Sequence, residues 1–154
     1  MFHVECMNTP ISPNGARAPS TGSSDPLIPV FLVQESDSFI SEDIVAALRA
    51  MGPCRVIDVT DVDQIAPVLA DEDAVTAAFL EISFEEVLAC GIMSALVRCG
   101  ARIILTTDSS GASDALAAGW GTLARPFNEP MIHEALSAHL VAEHRPKPLS
   151  QCAH

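Results

Sequence analysis

The chain has 154 residues, 49% of them hydrophobic, which is enough for one domain with a single core. Its 20 acidic and 8 basic residues give a formal net charge of -12, which repels phosphate backbones and excludes a basic nucleic-acid interface. The 5 cysteines are scattered without a CxxC spacing, and neither a secretory signal nor an apolar run of about 20 residues is present. We therefore expect a cytoplasmic protein with no membrane contact, no disulfide framework and no zinc site.

The two ends of the sequence differ in composition from its middle. Residues 8–26 are rich in Pro, Ser, Gly, Thr and Asn, and the last residues again combine proline with small and polar side chains. Segments without large apolar side chains cannot offset the entropy lost on ordering. The composition predicts a flexible N-terminal tail over residues 1–27, a folded domain over 28–144 and a C-terminal tail over 145–154.

The middle of the chain alternates short apolar runs with segments of helical periodicity, a pattern typical of repeated β/α units. The predicted strands cover residues 29–34, 54–59, 75–82, 102–106 and the neighbourhood of Leu123. The predicted helices cover residues 41–51, 62–69, 85–98, 113–118 and a segment capped by Asn128. This order predicts an α/β fold in which five parallel strands are doubly wound as (βα)5, with a shortened fourth helix.

Polar side chains follow these strands at the edge where a doubly wound sheet binds ligands. They are Glu35, Ser36 and Asp37 after the first strand, Glu81 at the end of the third, Thr106 at the end of the fourth, and Arg125 with Pro126 after the fifth. Because the carboxyl ends of parallel strands meet at one edge, the pattern predicts a pocket of acids, hydroxyls and one cation.

Four motifs in chain order resemble those of response-regulator receiver domains, the modules of bacterial two-component signalling. FLVQESD at 31–37 resembles the receiver opening, in which an apolar strand ends in acids, and FLEI at 79–82 resembles the strand that ends in the phosphoacceptor aspartate. ILTT at 104–107 resembles the strand that ends in the switch hydroxyl, and LARPF at 123–127 resembles the lysine-proline-phenylalanine signature. The resemblance covers residues 30–141 and implies a flavodoxin-like fold and a role in signal transduction.

Carried over residue by residue, the resemblance places Glu35 and Ser36 at the two acids of the metal site and Glu81 at the phosphoacceptor. It places Thr106 at the switch hydroxyl and Arg125 at the lysine. A receiver needs a carboxylate that attacks a phosphoryl group, Mg²⁺ that neutralises the oxygens and a lysine that holds the product. Glu81 is one methylene too long, Ser36 removes a metal-binding acid, and Arg125 replaces a compact ammonium with a planar fork.

These departures predict an atypical receiver that binds a protein partner, such as a histidine kinase or another regulator, without phosphotransfer or enzymatic activity. We expect no cofactor, and Glu35 and Glu81 are the candidate ligands for any Mg²⁺ that still binds. Glu81 and Arg125 are expected to form an ion pair in which Glu81 mimics the phosphorylated state. The face formed by the fourth helix, the fifth strand and the fifth helix is the expected surface for a partner or a homodimer.

Two alternatives stay open. In one, another carboxylate such as Asp37 accepts the phosphoryl group. In the other, the chain is a small flavodoxin-like enzyme or ligand-binding protein. The sequence lacks the phosphate-binding pattern GxxxxGK[ST], and GWGTLA at 119–124 precedes a predicted strand where a dinucleotide-binding loop follows one.

Overall fold

The computed structural model of the chain describes residues 28–106 and 111–143. Within them the strands are β1 Val30–Gln34, β2 Arg55–Val59, β3 Ala77–Leu80, β4 Arg102–Leu105 and β5 Gly121–Thr122. The α-helices are α1 Ser38–Ala50, α2 Ile65–Leu69, α3 Phe84–Ala89, α4 Met93–Arg98, α5 Ala112–Ala117 and α6 Glu129–Glu143, with a 3-10 turn at Val62–Gln64. The tails predicted over residues 1–27 and 145–154 lie outside the described residues.

The strands form one parallel sheet in the order β2-β1-β3-β4-β5, which confirms the predicted doubly wound fold. The order reverses between β1 and β3, because the chain first winds outward to β2 and then back across β1 to β3. This reversal opens a crevice at the carboxyl ends of the central strands, where ligands bind in such sheets.

Two apolar clusters cover the two faces of the sheet, because successive side chains of a strand point to opposite sides. One cluster packs α2, α3, α4 and α5 on the sheet through Leu32, Ala78, Leu80, Ile65, Leu69, Val87, Leu96, Ile103, Leu105 and Ala115. The other packs α1 and α6 on the opposite face through Phe31, Val33, Phe79, Ile44, Leu48, Ile104 and Ile132. The central strands are buried on both faces, which explains why they read as continuous apolar runs.

The helix predicted over residues 85–98 is in fact two helices. Gly91 has a φ of 75°, the left-handed conformation that commonly follows a helix end, and Ile92 is buried at the break between α3 and α4. The predicted fourth and fifth helices are therefore α5 and α6, and α5 is short as predicted, with 6 residues. The fifth strand lies at Gly121–Thr122, just before Leu123, whose backbone N–H still donates to the carbonyl of Leu105 at 2.8 Å.

Leu32 and Leu88 offer a matched test of this core. Leu32 is fully buried in β1, an inner strand of the sheet, whereas Leu88 is 55% exposed on α3. We expect Leu32→Ala to lower the free energy of unfolding by about 2–5 kcal/mol, and Leu88→Ala to change it by less than about 0.5 kcal/mol. Urea unfolding measures both, and equal losses would contradict the placement of these two side chains.

Candidate functional site

Backbone pairing beyond the strand ends brings the candidate residues into one layer. The N–H of Glu35 donates to the carbonyl of Val59 at 3.1 Å, and the N–H of Glu81 donates to the carbonyl of Gln34 at 3.1 Å. The N–H of Thr106 donates to the carbonyl of Leu80 at 2.9 Å. Each residue that follows a strand is thus held at the same height in the crevice between β1, β3 and β4.

Arg125 reaches into this crevice from the loop between β5 and α6. Its Nη2 lies 2.6 Å from Oε2 of Glu35 and 3.3 Å from Oε1 of Glu81. Its Nε donates to the backbone carbonyl of Thr106 at 2.7 Å. The Glu35 side chain is fully buried, whereas about a quarter of the Arg125 and Glu81 side chains remains exposed, 25% and 24% respectively. The closest partner of the arginine is therefore Glu35, and Glu81 is the second.

Ser36 holds the other oxygen of Glu81. Oε2 of Glu81 accepts a hydrogen bond from the Ser36 N–H at 2.7 Å and another from the Ser36 hydroxyl at 2.5 Å. Hydrogen bonds to an ionised acceptor are shorter and stronger than neutral ones. Both oxygens of the Glu81 carboxylate thus face donors that belong to the protein itself.

The two carboxyl groups differ in acidity. Burial raises the pKa of the Glu35 carboxyl above its ordinary value, and the hydrogen bond from Arg125 offsets this only in part. Burial also acts to raise the pKa of Glu81, but the hydrogen bonds from Ser36, the interaction with Glu35 and the charge of Arg125 together hold that pKa below its ordinary value. The interaction between the two carboxyl groups pushes their pKa values further apart. When the pH falls, Glu35 takes up a proton before Glu81.

Three predicted site residues place no hydrogen-bonded polar side chain in the crevice. They are Asp37, Thr106 and Pro126. The carboxylate of Asp37 caps α1, where Oδ1 accepts from the Phe39 N–H at 2.9 Å, while its backbone N–H donates to Oε1 of Glu35 at 3.3 Å. The Thr106 hydroxyl is buried and has no hydrogen-bond partner among the described residues, so this residue acts through its carbonyl. Pro126 is exposed beside a cavity of about 350 Å³ that Arg125 also lines.

The sequence reasoning missed Gln34, which is 4% exposed at the end of β1. Its Oε1 accepts from the Glu81 N–H at 3.0 Å, and its Nε2 donates to the carbonyl of Thr60 at 3.0 Å. The amide therefore links the ends of β2 and β3 across β1. The signal was a polar residue that ends an otherwise apolar strand, because a buried amide must find hydrogen-bond partners.

These residues do not fit a Mg²⁺ site. Mg²⁺ needs oxygen ligands in near-octahedral geometry, usually with one or two carboxylates. Here both candidate carboxylates, Glu35 and Glu81, already contact the guanidinium of Arg125, and Ser36 stands at the position of the second acid. Residues 28–106 and 111–143 contain no group of three or more His, Cys, Asp or Glu side chains that could hold a metal ion. In the same residues no helix combines the length and the apolar character required to cross a membrane.

No protein-family model matches the sequence, and no curated protein matches it. Solved structures do match, and all of the following are receiver proteins or domains. A response regulator receiver protein from Burkholderia phymatum is 23% identical, with a TM-score of 0.58 over 73% of this chain and 95% of its own. A signal receiver domain of a two-component histidine kinase from Clostridium thermocellum is 16% identical, with a TM-score of 0.59 over 73% and 97%. A CheY-like receiver domain protein from Methanospirillum hungatei is 17% identical, with a TM-score of 0.58 over 75% and 96%.

This likeness confirms the fold that the sequence motifs imply. The chain has the flavodoxin-like fold of receiver domains, and it covers almost the full length of the three structures. A fold shared at this level of identity leaves the activity to be argued from the site.

Removal of the Arg125 cation tests the electrostatics of the crevice. We expect Arg125→Gln to lower the free energy of unfolding by about 3 kcal/mol at neutral pH, because it leaves the buried Glu35 carboxylate without a cation. Glu35 already has a raised pKa, and loss of the arginine raises it further. As the pH falls through that pKa, Glu35 is neutralised and the difference from the unchanged protein should shrink.

Urea unfolding at neutral pH and at about pH 4 measures this difference. Arg49→Gln, which removes an exposed arginine from the last turn of α1, is the matched control and should have little effect at either pH. A loss for Arg125→Gln that stays constant across this pH range would contradict the pairing with Glu35.

Proposed function

We propose that the chain is an atypical receiver domain of two-component signalling, which acts by binding a protein partner without phosphorylation of Glu81. The observation that carries this proposal is that both oxygens of the Glu81 carboxylate already contact groups of the chain itself. One oxygen accepts two hydrogen bonds from Ser36, and the other lies 3.3 Å from Arg125. A carboxylate held in this way is a poor nucleophile, because attack requires a lone pair that is free to approach the phosphorus in line.

The lost metal site supports the same proposal. In receivers Mg²⁺ neutralises the phosphoryl oxygens during transfer, and two acids and the phosphoacceptor hold it. Here Ser36 replaces one acid, and the guanidinium of Arg125 lies 2.6 Å from the other, Glu35. We accordingly propose that the protein uses no cofactor and catalyses no phosphotransfer of its own.

Glu81 also carries its charge farther from the backbone than aspartate does. An added methylene moves the carboxylate outward by about 1.5 Å, and errors of about 1 Å in reacting geometry cost roughly a hundredfold in rate. The added length lets Glu81 contact Arg125, which stands where a receiver lysine holds the phosphoryl group. Glu81 therefore reproduces one contact of the phosphorylated state.

The mimicry that we propose is partial. The Thr106 hydroxyl, the switch group implied by the resemblance, has no hydrogen-bond partner among the described residues, whereas Glu81 is bound by Ser36 and Arg125. When both carboxyl groups are ionised they carry one charge more than Arg125 neutralises, so the crevice holds a net negative charge without a phosphoryl group. We propose that a histidine kinase or another regulator binds this fixed state.

Incubation with acetyl phosphate and Mg²⁺ tests the loss of phosphorylation. We expect intact-protein mass spectrometry to detect no stable phosphoryl adduct, because Ser36 and Arg125 already contact the Glu81 carboxylate and Arg125 also contacts Glu35, the remaining metal-binding acid. The triple variant Ser36→Asp, Glu81→Asp, Arg125→Lys, which restores the receiver pattern, is the informative comparison. A stoichiometric acyl phosphate on Glu81 of the unchanged protein would overturn the proposal.

The same assay separates the alternative in which Asp37 accepts the phosphoryl group. The Asp37 carboxylate already caps α1 through the Phe39 N–H, so phosphorylation there would remove a helix cap. If an adduct forms on the unchanged protein and disappears in Asp37→Asn but persists in Glu81→Gln, Asp37 is the acceptor.

A further inference from the structure

A cavity of about 350 Å³ lies between α1 and the loop that joins β5 to α6. We name it the α1 cavity, and its lining includes Ile40 and Asp43 from α1 and Arg125, Pro126 and Phe127 from the loop. Proteins bind small molecules in cavities of about 300–1,000 Å³ that are mostly apolar with a few polar groups. The α1 cavity is therefore large enough for a small organic molecule, and its lining has the matching composition.

The apolar walls of the α1 cavity are fixed to the core. Ile40 and Phe127 are each partly buried, and each packs against the apolar cluster between the sheet and the helices α1 and α6. Side chains that are held by packing need little reordering when a ligand arrives, which lowers the cost of binding. An apolar group that enters the cavity gains free energy because both surfaces leave water.

Arg125 is the wall that the α1 cavity shares with the crevice. On the crevice side, its Nε donates to the carbonyl of Thr106 at 2.7 Å, and its Nη2 lies 2.6 Å from Glu35 and 3.3 Å from Glu81. These contacts fix the guanidinium from one side, while 25% of the Arg125 side chain remains exposed. A ligand in the cavity therefore lies against a cation whose charge two carboxylates already share.

The balance of charge around the α1 cavity is negative. Asp43 is exposed on α1 and lines the cavity, and Glu35 and Glu81 lie behind Arg125. Three ionised carboxylates thus surround one guanidinium, in a chain whose formal net charge is -12. This charge repels an anionic ligand and attracts a cationic one. The cavity should therefore select a cation over an anion of the same shape.

We propose that the α1 cavity binds a small organic cation with one ammonium group and an apolar body about the size of a phenyl ring. The ammonium group pairs with Asp43, and the apolar body packs on Ile40, Pro126 and Phe127. This inference goes beyond the proposed function and does not depend on it, because the ligand occupies a cavity outside the acceptor crevice.

Three ligands with the same apolar body test the role of charge. They are phenethylamine, a cation at neutral pH, phenethyl alcohol, which is neutral, and hydrocinnamate, an anion. Each is titrated into the isotope-labelled full chain, and the backbone amide resonances of Asp43 and Phe127 are followed by NMR. We expect phenethylamine to bind about fivefold more tightly than phenethyl alcohol, because an exposed ion pair adds only modest affinity, and hydrocinnamate to bind most weakly.

Variants of the protein locate the ammonium group. Asp43→Asn should lower the affinity for phenethylamine to that for phenethyl alcohol and leave the affinity for the alcohol unchanged. Glu42→Gln is the matched control, because Glu42 is the exposed acid next to Asp43 and lines a different cavity with Arg49 and Val56. It should keep the preference for the amine. Both substitutions are at exposed positions, where the fold tolerates them.

Four results would overturn the inference. They are equal affinities for the three ligands, tightest binding of hydrocinnamate, a preference for the amine that persists in Asp43→Asn, and no shift of either resonance up to about 10 mM ligand. The acetyl phosphate assay measures a phosphoryl adduct and not ligand binding, so failure of the proposed function and failure of this inference are distinguishable.

Discussion

The contact on which the site depends is the ion pair between Arg125 and the buried carboxylate of Glu35. A carboxylate without solvent access is tolerated only with a cation or with hydrogen bonds in place, and Arg125 supplies both at 2.6 Å. The same guanidinium binds the carbonyl of Thr106, so it ties the loop after β5 to the ends of β1 and β4. Glu81 shares this cation, which lies closer to Glu35.

The three departures from the receiver pattern, at positions 36, 81 and 125, contact one another in the crevice. An aspartate at position 36 would place a third carboxylate beside Glu35 and Glu81 with only Arg125 to neutralise them. Ser36 instead donates two hydrogen bonds to Glu81, which act with Arg125 and Glu35 to lower the pKa of that carboxyl. The serine, the longer acid and the arginine thus form one electrostatic unit in which the arginine supplies the positive charge that a metal supplies elsewhere.

The sequence predicts the sheet well, because burial on both faces produces continuous apolar runs whose alternation with helices is unambiguous. The sequence does not predict features that depend on the conformation of one residue or on the reach of a side chain. The single helix predicted over 85–98 breaks at Gly91, since one glycine inside a periodic segment does not reveal its φ. The choice of Glu35 over Glu81 as the nearer partner of Arg125 depends on side-chain reach, which spacing does not contain. Asp37 is a typical N-cap residue, but the sequence predicted that the first helix begins at residue 41, whereas it begins at Ser38.

Two partly buried arginines, Arg125 and Arg102, differ in whether a carboxylate pairs with them. Arg125 lies between Glu35 and Glu81, so the two carboxylates of the crevice share a cation of the chain itself. Arg102 has no such carboxylate in the described part of the chain. In the function proposed above, the chain's own groups take the contacts of the acceptor site, and binding of a partner is the remaining input to the domain.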